Sequence, residues 1–252
     1  MRRKKTRAEL KNHKKQALSK LESYLDKLIS SDDENLQGKS DKLSYWISDW
    51  TTFLDFENTF SPNSLRRYKR GEIIKVHLGF NIGSEEGGLH YAIVIEKDNP
   101  KSSPVLTIVP LTSVKPNTDV NNLKSGSIFL GNELFTNLSV KISSTCKHVQ
   151  EDVNLFKQLV QGMDSEISEQ KRLEVLDKIN QCNSEIDLLK RMATEVQKMK
   201  KGSIALTNQI TTISKIRIYD PKTDHDVLSG VKLSNEKLDL IDNEIRTRFT
   251  NF

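Results

Sequence analysis

The apolar residues of this 252-residue chain switch period several times, from helix to strand and back, and that switching limits the available folds more than any single motif. Residues 6–30 place Ala8, Ala17, Leu18, Leu21, Leu25, Leu28 and Ile29 mostly at steps of three and four, which predicts a helix with one apolar stripe. The polar run SSDDENLQGKSD (30–41) reads as a loop. Residues 42–59 then predict a second amphipathic helix, with Trp46 and Trp50 four residues apart on one face. SPNS (61–64) breaks the pattern and marks a domain boundary. Strand texture follows. GEIIKVHLGF (71–80) alternates, with Ile74, Val76 and Leu78 on one face and Ile73, Lys75 and His77 on the other. NIGSEEGGL (81–89) is a flexible loop, and HYAIVIEKD (90–98) is a β-branched run that predicts a buried strand. VLTIVPLTSV (105–114) contains Pro110, which predicts an edge or a bulge. SGSIFLG (125–131) and NLSVKIS (137–143) read as further short strands. Residues 148–201 return to helix texture, as one long helix of coiled-coil type or as a hairpin. Strands resume at 203–220 (SIALTNQITTISKIRIYD), and a last helix, capped by Ser234, carries Leu238, Ile241 and Ile245 on one face. Closely spaced short strands predict a small barrel rather than an α/β sheet.

Charge is unevenly placed. Residues 1–20 carry nine Lys/Arg against Glu9 alone, a net of +8, so the rest of the chain holds −3 of the overall +5. A basic arm of this kind attracts phosphates without sequence preference, or is a solvated end. No apolar run approaches the ~18–20 residues of a membrane span, and no apolar stretch follows the basic start, so neither a spanning segment nor a secretory leader is expected. Cys146 and Cys182 make neither a disulfide framework nor a metal quartet, and both are expected to be buried or inert thiols in a reducing cytoplasm. No metal and no cofactor is expected.

The loop GSEEGGLHYAIVI (83–95) carries the chemistry. Gly83, Gly87 and Gly88 free the backbone for a close approach, and His90 follows where the loop enters a strand. A titratable imidazole beside a mobile loop is an acid–base candidate, although a lone His is more often structural. Glu85 and Glu86 read as loop polarity, His77, on the polar face of its strand, as a solvent-facing or interface residue, and His148 as incidental.

RGEIIKVHLGFNIGSEEGGLHYAIVIEKD resembles the start of the MazF/PemK family of toxin endoribonucleases. IVPLTSV (108–114) resembles that family's third-strand motif, and GSIALTNQITTISKIRI (202–218) its late strand. The resemblance covers 65–143 and 202–252. It implies an α+β fold: an SH3-like small barrel with a C-terminal helix, usually a homodimer. It also implies metal-independent cleavage of single-stranded RNA such as mRNA, and a cognate antitoxin that occupies the RNA groove. The ribose 2′-hydroxyl attacks the adjacent phosphate, so a base, charge stabilisation on the phosphorane and an acid are needed. The family's Thr is Thr112, with Ser113 beside it; its Arg is replaced by His90 and its Pro by Tyr91. The family's Gln-x-Arg-Thr-Ile reads Gln209-Ile210-Thr211-Thr212-Ile213, and Leu206 and Asn208 stand where one branch has Arg-x-Asp. His90, Thr112 and Ser113 are thus the expected catalytic residues, and Ser84, Gly87, Gly88, Lys75, Lys115 and Gln209 the expected substrate contacts.

The remainder is extra to such a barrel: a basic helical arm or hairpin (1–60) and a helical insertion (144–201). Since the insertion replaces a short strand connection, its ends must lie close together. A hairpin turning near 162–168 satisfies this, and it is expected to bundle with the first helices. Two other readings use the same barrel: a catalytically weak module that binds nucleic acid or protein, and a toxin of the gyrase-poison kind, acting on a DNA enzyme.

Overall fold

The computed structural model describes residues 3–161 and 169–251. The chain divides into two units, Met1–Asn58 and Thr59–Phe252. The first is a pair of helices, α1 (Arg7–Ile29) and α2 (Glu34–Glu57). A capping box opens α1: the Thr6 hydroxyl accepts from the Glu9 N–H while the Glu9 carboxylate accepts from the Thr6 N–H. The expected loop over 30–41 is mostly helix. Asp33 caps α2 by accepting from the Asn35 N–H, so the polar run starts the helix rather than interrupting it.

The second unit is built on a seven-stranded sheet, entirely antiparallel. Its strands are β1 (Ile73–His77), β2 (Leu89–Val94), β3 (Val105–Ser113), β4 (Ser127–Gly131), β5 (Ser203–Leu206), β6 (Thr211–Ser214) and β7 (Ile218–Asp220). Three helices complete it: α3 (Glu133–Gln161), α4 (Glu169–Lys198) and α5 (Asn235–Phe249). The order is β4-β5-β3-β2-β1-β7, with β6 also on β3. Among the described residues the end strands β4 and β7 do not pair, so the α+β fold is present but its sheet is open where a closed barrel is expected.

Period-two alternation divides the core between the two faces of the sheet. Ile74, Val76, Ala92, Val94, Leu106 and Ile108 join Leu65, Tyr68, Ile213 and Ile218 on one side. Ile73, Ile93, Val109, Leu111 and Ala205 meet Leu134, Leu138, Met192, Leu238 and Ile241 from the helices on the other. Both faces are covered, which is why 91–95 reads as an unbroken run without a charged residue.

Pro110 does not mark an edge. β3 is central, but it changes partner there: β6 pairs with Val105–Ile108 and β5 with Leu111–Ser113. Pro110 falls in the gap between them, where its missing N–H leaves no ladder bond unmade. The long run at 203–220 is likewise three strands, separated by 3-10 turns at Thr207–Gln209 and Lys215–Arg217.

NLSVKIS (137–143) is helix, not strand. Alternating Leu138, Val140 and Ile142 mimic a strand, but Leu134 and Leu138 are buried one turn apart and Ile142 follows on the same face. The helical excursion therefore starts at Glu133, not near 144. It leaves and re-enters through neighbours, since Gly131 of β4 pairs with Ser203 of β5. Two helices pack on one another, with Lys178 Nζ 3.2 Å from Asp152 Oδ1; the turn expected near 162–168 lies outside the described residues. Lys141 pins α3 to the body by donating to the carbonyls of Asp226, Val227 and Ser229 at 2.9, 2.9 and 2.7 Å; burial pulls its ammonium down to about 8. Ser234 caps α5 by accepting from the Lys237 N–H, and Leu238 and Ile241 bury as expected. Cys146 is exposed rather than buried, and Cys182 is half-buried.

Candidate active site

The β2–β3 ladder ends with Ala92 opposite Pro110; His90 lies two residues before Ala92 in the chain and Thr112 two residues after Pro110. Both side chains, with Ser113, line one cavity of about 220 Å³. The three expected catalytic residues therefore come together, and His90 is neither sealed in the apolar core nor on the far side of the sheet from Thr112. Thr112 and Ser113 are held in place by β5, opposite Ile204 and Ser203.

The orientation of His90 follows from its partners. Nδ1 lies 3.0 Å from the Leu111 carbonyl oxygen. A carbonyl only accepts, so Nδ1 carries a proton and the lone pair of the neutral ring sits on Nε2. Nε2 lies 3.5 Å from Glu86 Oε2, and both side chains are about a quarter exposed (25%). A protonated ring is thus paired with a carboxylate, and a neutral ring presents one basic nitrogen. Glu86, read from sequence as loop polarity, is the partner of Nε2. The four-residue spacing Glu86–His90 was a signal in the sequence, but a hairpin loop gives no reason to expect the contact that a helix would.

The loop itself is stapled. Gln209 accepts from the Glu86 N–H at 2.6 Å and donates to the Ser84 carbonyl at 3.2 Å. Asn81 donates to the Glu86 carbonyl at 2.6 Å. The Gly88 N–H donates to the Gly79 carbonyl, and Gly87 passes so close that a Cβ there would lie 2.8 Å from Gly79 O. The glycines at 87 and 88 thus close the β1–β2 hairpin upon itself, and Gln209 spends its amide on the loop.

The expected substrate contacts do not share one place. Ser84 and Gln209 line a second, more open trough of about 670 Å³ with Glu86 and Arg217. The Glu86–His90 contact links this trough to the His90 cavity. Burial lowers the Arg217 guanidinium from its ordinary value, and its Nε donates to the His77 carbonyl at 2.7 Å. His77 Nδ1 in turn accepts from the Gly79 N–H at 3.0 Å. Lys75 faces elsewhere: its Nζ is 2.5 Å from Glu195 Oε1 on α4 and lies over the rings of Tyr91 and Tyr219. Lys115 is exposed just beyond β3 and lines neither the cavity nor the trough.

Sequence order hid one wall of the cavity. The end of α4 contributes Lys198, the link to β5 contributes Met199, Lys200 and Gly202, and the start of α3 contributes Leu134 and Phe135. Gly202 makes the return possible: its φ is +82°, and a Cβ there would lie 2.7 Å from Val114 Cγ2.

Among the described residues no group of three or more His, Cys, Asp or Glu could hold a metal ion, and no helix is long and apolar enough to cross a membrane. No curated protein matches the chain. A family match does exist, and it starts just before β1, takes in the stapled loop, His90, Thr112 and Ser113, and runs on through α3 into α4. It covers residues 69–182, the part of the chain that holds His90, Thr112 and Ser113, and is to the PemK-like, MazF-like toxin of type II toxin-antitoxin systems; the cavity wall from Lys198 to Ser203 lies beyond it.

Proposed function

We propose that the chain is the endoribonuclease toxin of a toxin–antitoxin pair, cleaving single-stranded RNA by attack of a ribose 2′-hydroxyl on its own phosphate. The observation that carries this reading is the convergence of His90, Thr112 and Ser113 on one cavity, with the imidazole held so that Nε2 is its basic nitrogen. Nε2 takes the 2′-hydroxyl proton as the 2′-oxygen bonds to phosphorus. The Thr112 and Ser113 hydroxyls donate to the non-bridging oxygens, where negative charge grows. The bond from phosphorus to the 5′-oxygen breaks, the leaving oxygen takes a proton from water, and the imidazolium returns its proton to water. The products are a 2′,3′-cyclic phosphate and a 5′-hydroxyl.

His90 stands where the family pattern has Arg. It supplies a base that a guanidinium cannot, and gives up a permanent forked cation. The reading includes an open counterpart of the SH3-like barrel, a homodimer acting in the cytoplasm, and a cognate antitoxin that covers the site.

The test is incubation of the full chain with a long RNA across a range of pH without added metal. Cleavage that leaves cyclic phosphate ends, and is lost in His90→Ala and Thr112→Ala, supports the enzyme. Intact RNA with tight binding of a partner would replace it with the non-catalytic module.

A further inference from the structure

The cavity around His90 is closed by the helical excursion as well as by the sheet. Beyond His90, the charged side chains among the described residues that line it are Lys198 and Lys200; no carboxylate lines it. The trough beside it, by contrast, carries Glu85 and Glu86 along with Arg217. The two lysines differ from others in the body. The ammonium groups of Lys75 and Lys141 are occupied by a carboxylate and by three carbonyls. Lys198 and Lys200 are exposed, and among the described residues neither has a carboxylate within ion-pair distance. Lys198 helps hold the Glu195 carboxyl below its usual range, but that carboxylate is already bound by Lys75 and Tyr91.

The backbone that carries the two lysines is fixed. Met199, between them, packs against the core, and its N–H donates to the Glu195 carbonyl at 3.1 Å. Two residues beyond Lys200, the carbonyl of buried Gly202 accepts from the Val114 N–H at 3.1 Å. With Met199 turned inward, the residues on either side of it are set at the rim, next to Thr112 and Ser113.

We propose that Lys198 and Lys200 bind the scissile phosphate and stabilise the charge that builds on its non-bridging oxygens, in place of the arginine that His90 displaced. This rests on the endoribonuclease reading above. An anionic ligand fits a cavity whose fixed charges are both positive. Two flexible ammonium groups can follow the phosphate from tetrahedral to five-coordinate geometry without the planar match a guanidinium demands. The helical excursion thereby completes the site as well as adding to the fold.

The experiment compares full-length wild type, Lys198→Gln/Lys200→Gln, Lys198→Arg/Lys200→Arg and Lys201→Gln. Lys201 is exposed, adjacent and not in the cavity wall. Cleavage is read on a single-stranded RNA, and binding on the same RNA with a 2′-deoxy residue at the cut. The Gln pair is expected to lose ~100-fold in kcat/KM, as removal of oxyanion donors does. Its binding should also show a salt slope shallower by ~1.4, from two lost phosphate contacts at ~0.7 each. The Arg pair should recover most of the rate, and Lys201→Gln should stay within about twofold of wild type. If wild type cleaves and the Gln pair cleaves as fast as Lys201→Gln, the lysine assignment is overturned while the enzyme reading stands. If wild type leaves RNA intact, the enzyme reading falls and takes the assignment with it.

Discussion

Glu195 Oε1 lies 2.5 Å from Lys75 Nζ, and Tyr91 donates its hydroxyl proton to the same oxygen. One carboxylate on α4 thus holds β1 and β2 together from outside the sheet. The Lys75 and Glu195 side chains are each only 16% exposed, and the ammonium also lies 5.5 and 5.8 Å from the ring centres of Tyr91 and Tyr219. Replacing Glu195 by Ala leaves a half-buried cation and a half-buried phenol without their acceptor. The expected loss is about 3 kcal/mol, read as a fall in the denaturant midpoint of the full chain. A Lys75→Met/Glu195→Leu pair should recover most of it, since no charge is then stranded. A single mutant as stable as wild type would show that α4 is held by its apolar contacts alone.

The same pair gives a pH dependence with a definite sign. Burial by itself would raise the Glu195 carboxyl, but the hydrogen bonds from Lys75 and Tyr91, and the Lys75 charge, outweigh it and hold the group below its ordinary 4.5. A carboxyl lowered on folding contributes stability that is fully present above the unfolded value, and is lost as pH falls through the folded one. The stability difference between wild type and Glu195→Gln should therefore be constant from pH 7 to about 5 and shrink on further acidification. A difference that grows below pH 4.5 would mean the group is raised, not lowered.

Strand alternation in Ile73–Leu78 and the Ser234 cap carried through from sequence to structure because each is decided by neighbours within a few residues. The failures are places where a distant partner decides. Leu138, Val140 and Ile142 satisfy a strand pattern while Leu134, Leu138 and Ile142 satisfy a helix pattern, and only the core against Leu134 and Leu138 selects the helix. Pro110 looks like an edge marker until β5 and β6 are seen to divide one side of β3 between them. At the site, His90, Thr112 and Ser113 were legible as a motif. Lys198 and Lys200 were not, because 85 or more residues and two helices separate them from Ser113 in the chain. Gln209 was legible as a polar residue near the loop, but not as the staple of Ser84 and Glu86.

On the mechanism proposed above, His90 and Thr112 should fail differently. His90→Ala removes the base, and a loss of ~10²–10⁴-fold in kcat is expected together with the acid limb of the pH–rate profile, because protonation of Nε2 no longer matters. Thr112→Ala removes a donor to the developing charge, so a loss of ~10²-fold is expected with that limb unchanged. Rates measured across pH for both variants decide it. A His90→Ala enzyme that keeps the wild-type profile would transfer the ionisation to another group.

Gln209 offers a last test, because it touches the loop and not the His90 cavity. Its amide bonds the Glu86 N–H and the Ser84 carbonyl, and Glu86 in turn faces His90 Nε2. Gln209→Ala frees an exposed carbonyl and a half-buried N–H, so the global cost should be about 1 kcal/mol. Loop order should suffer more than that figure implies. Amide exchange at Gly83–Gly88 should quicken by about tenfold or more while β3 and β5 keep their protection. Activity should fall modestly through kcat, because Glu86 no longer holds its place beside the imidazole. Gly87→Ala perturbs the same hairpin from the opposite side, by setting a methyl 2.8 Å from the Gly79 carbonyl oxygen, and should quicken exchange over the same residues. Unchanged exchange at Gly83–Gly88 in both variants would mean that the loop is ordered by its own β1–β2 pairing, with Gln209 a passenger on it.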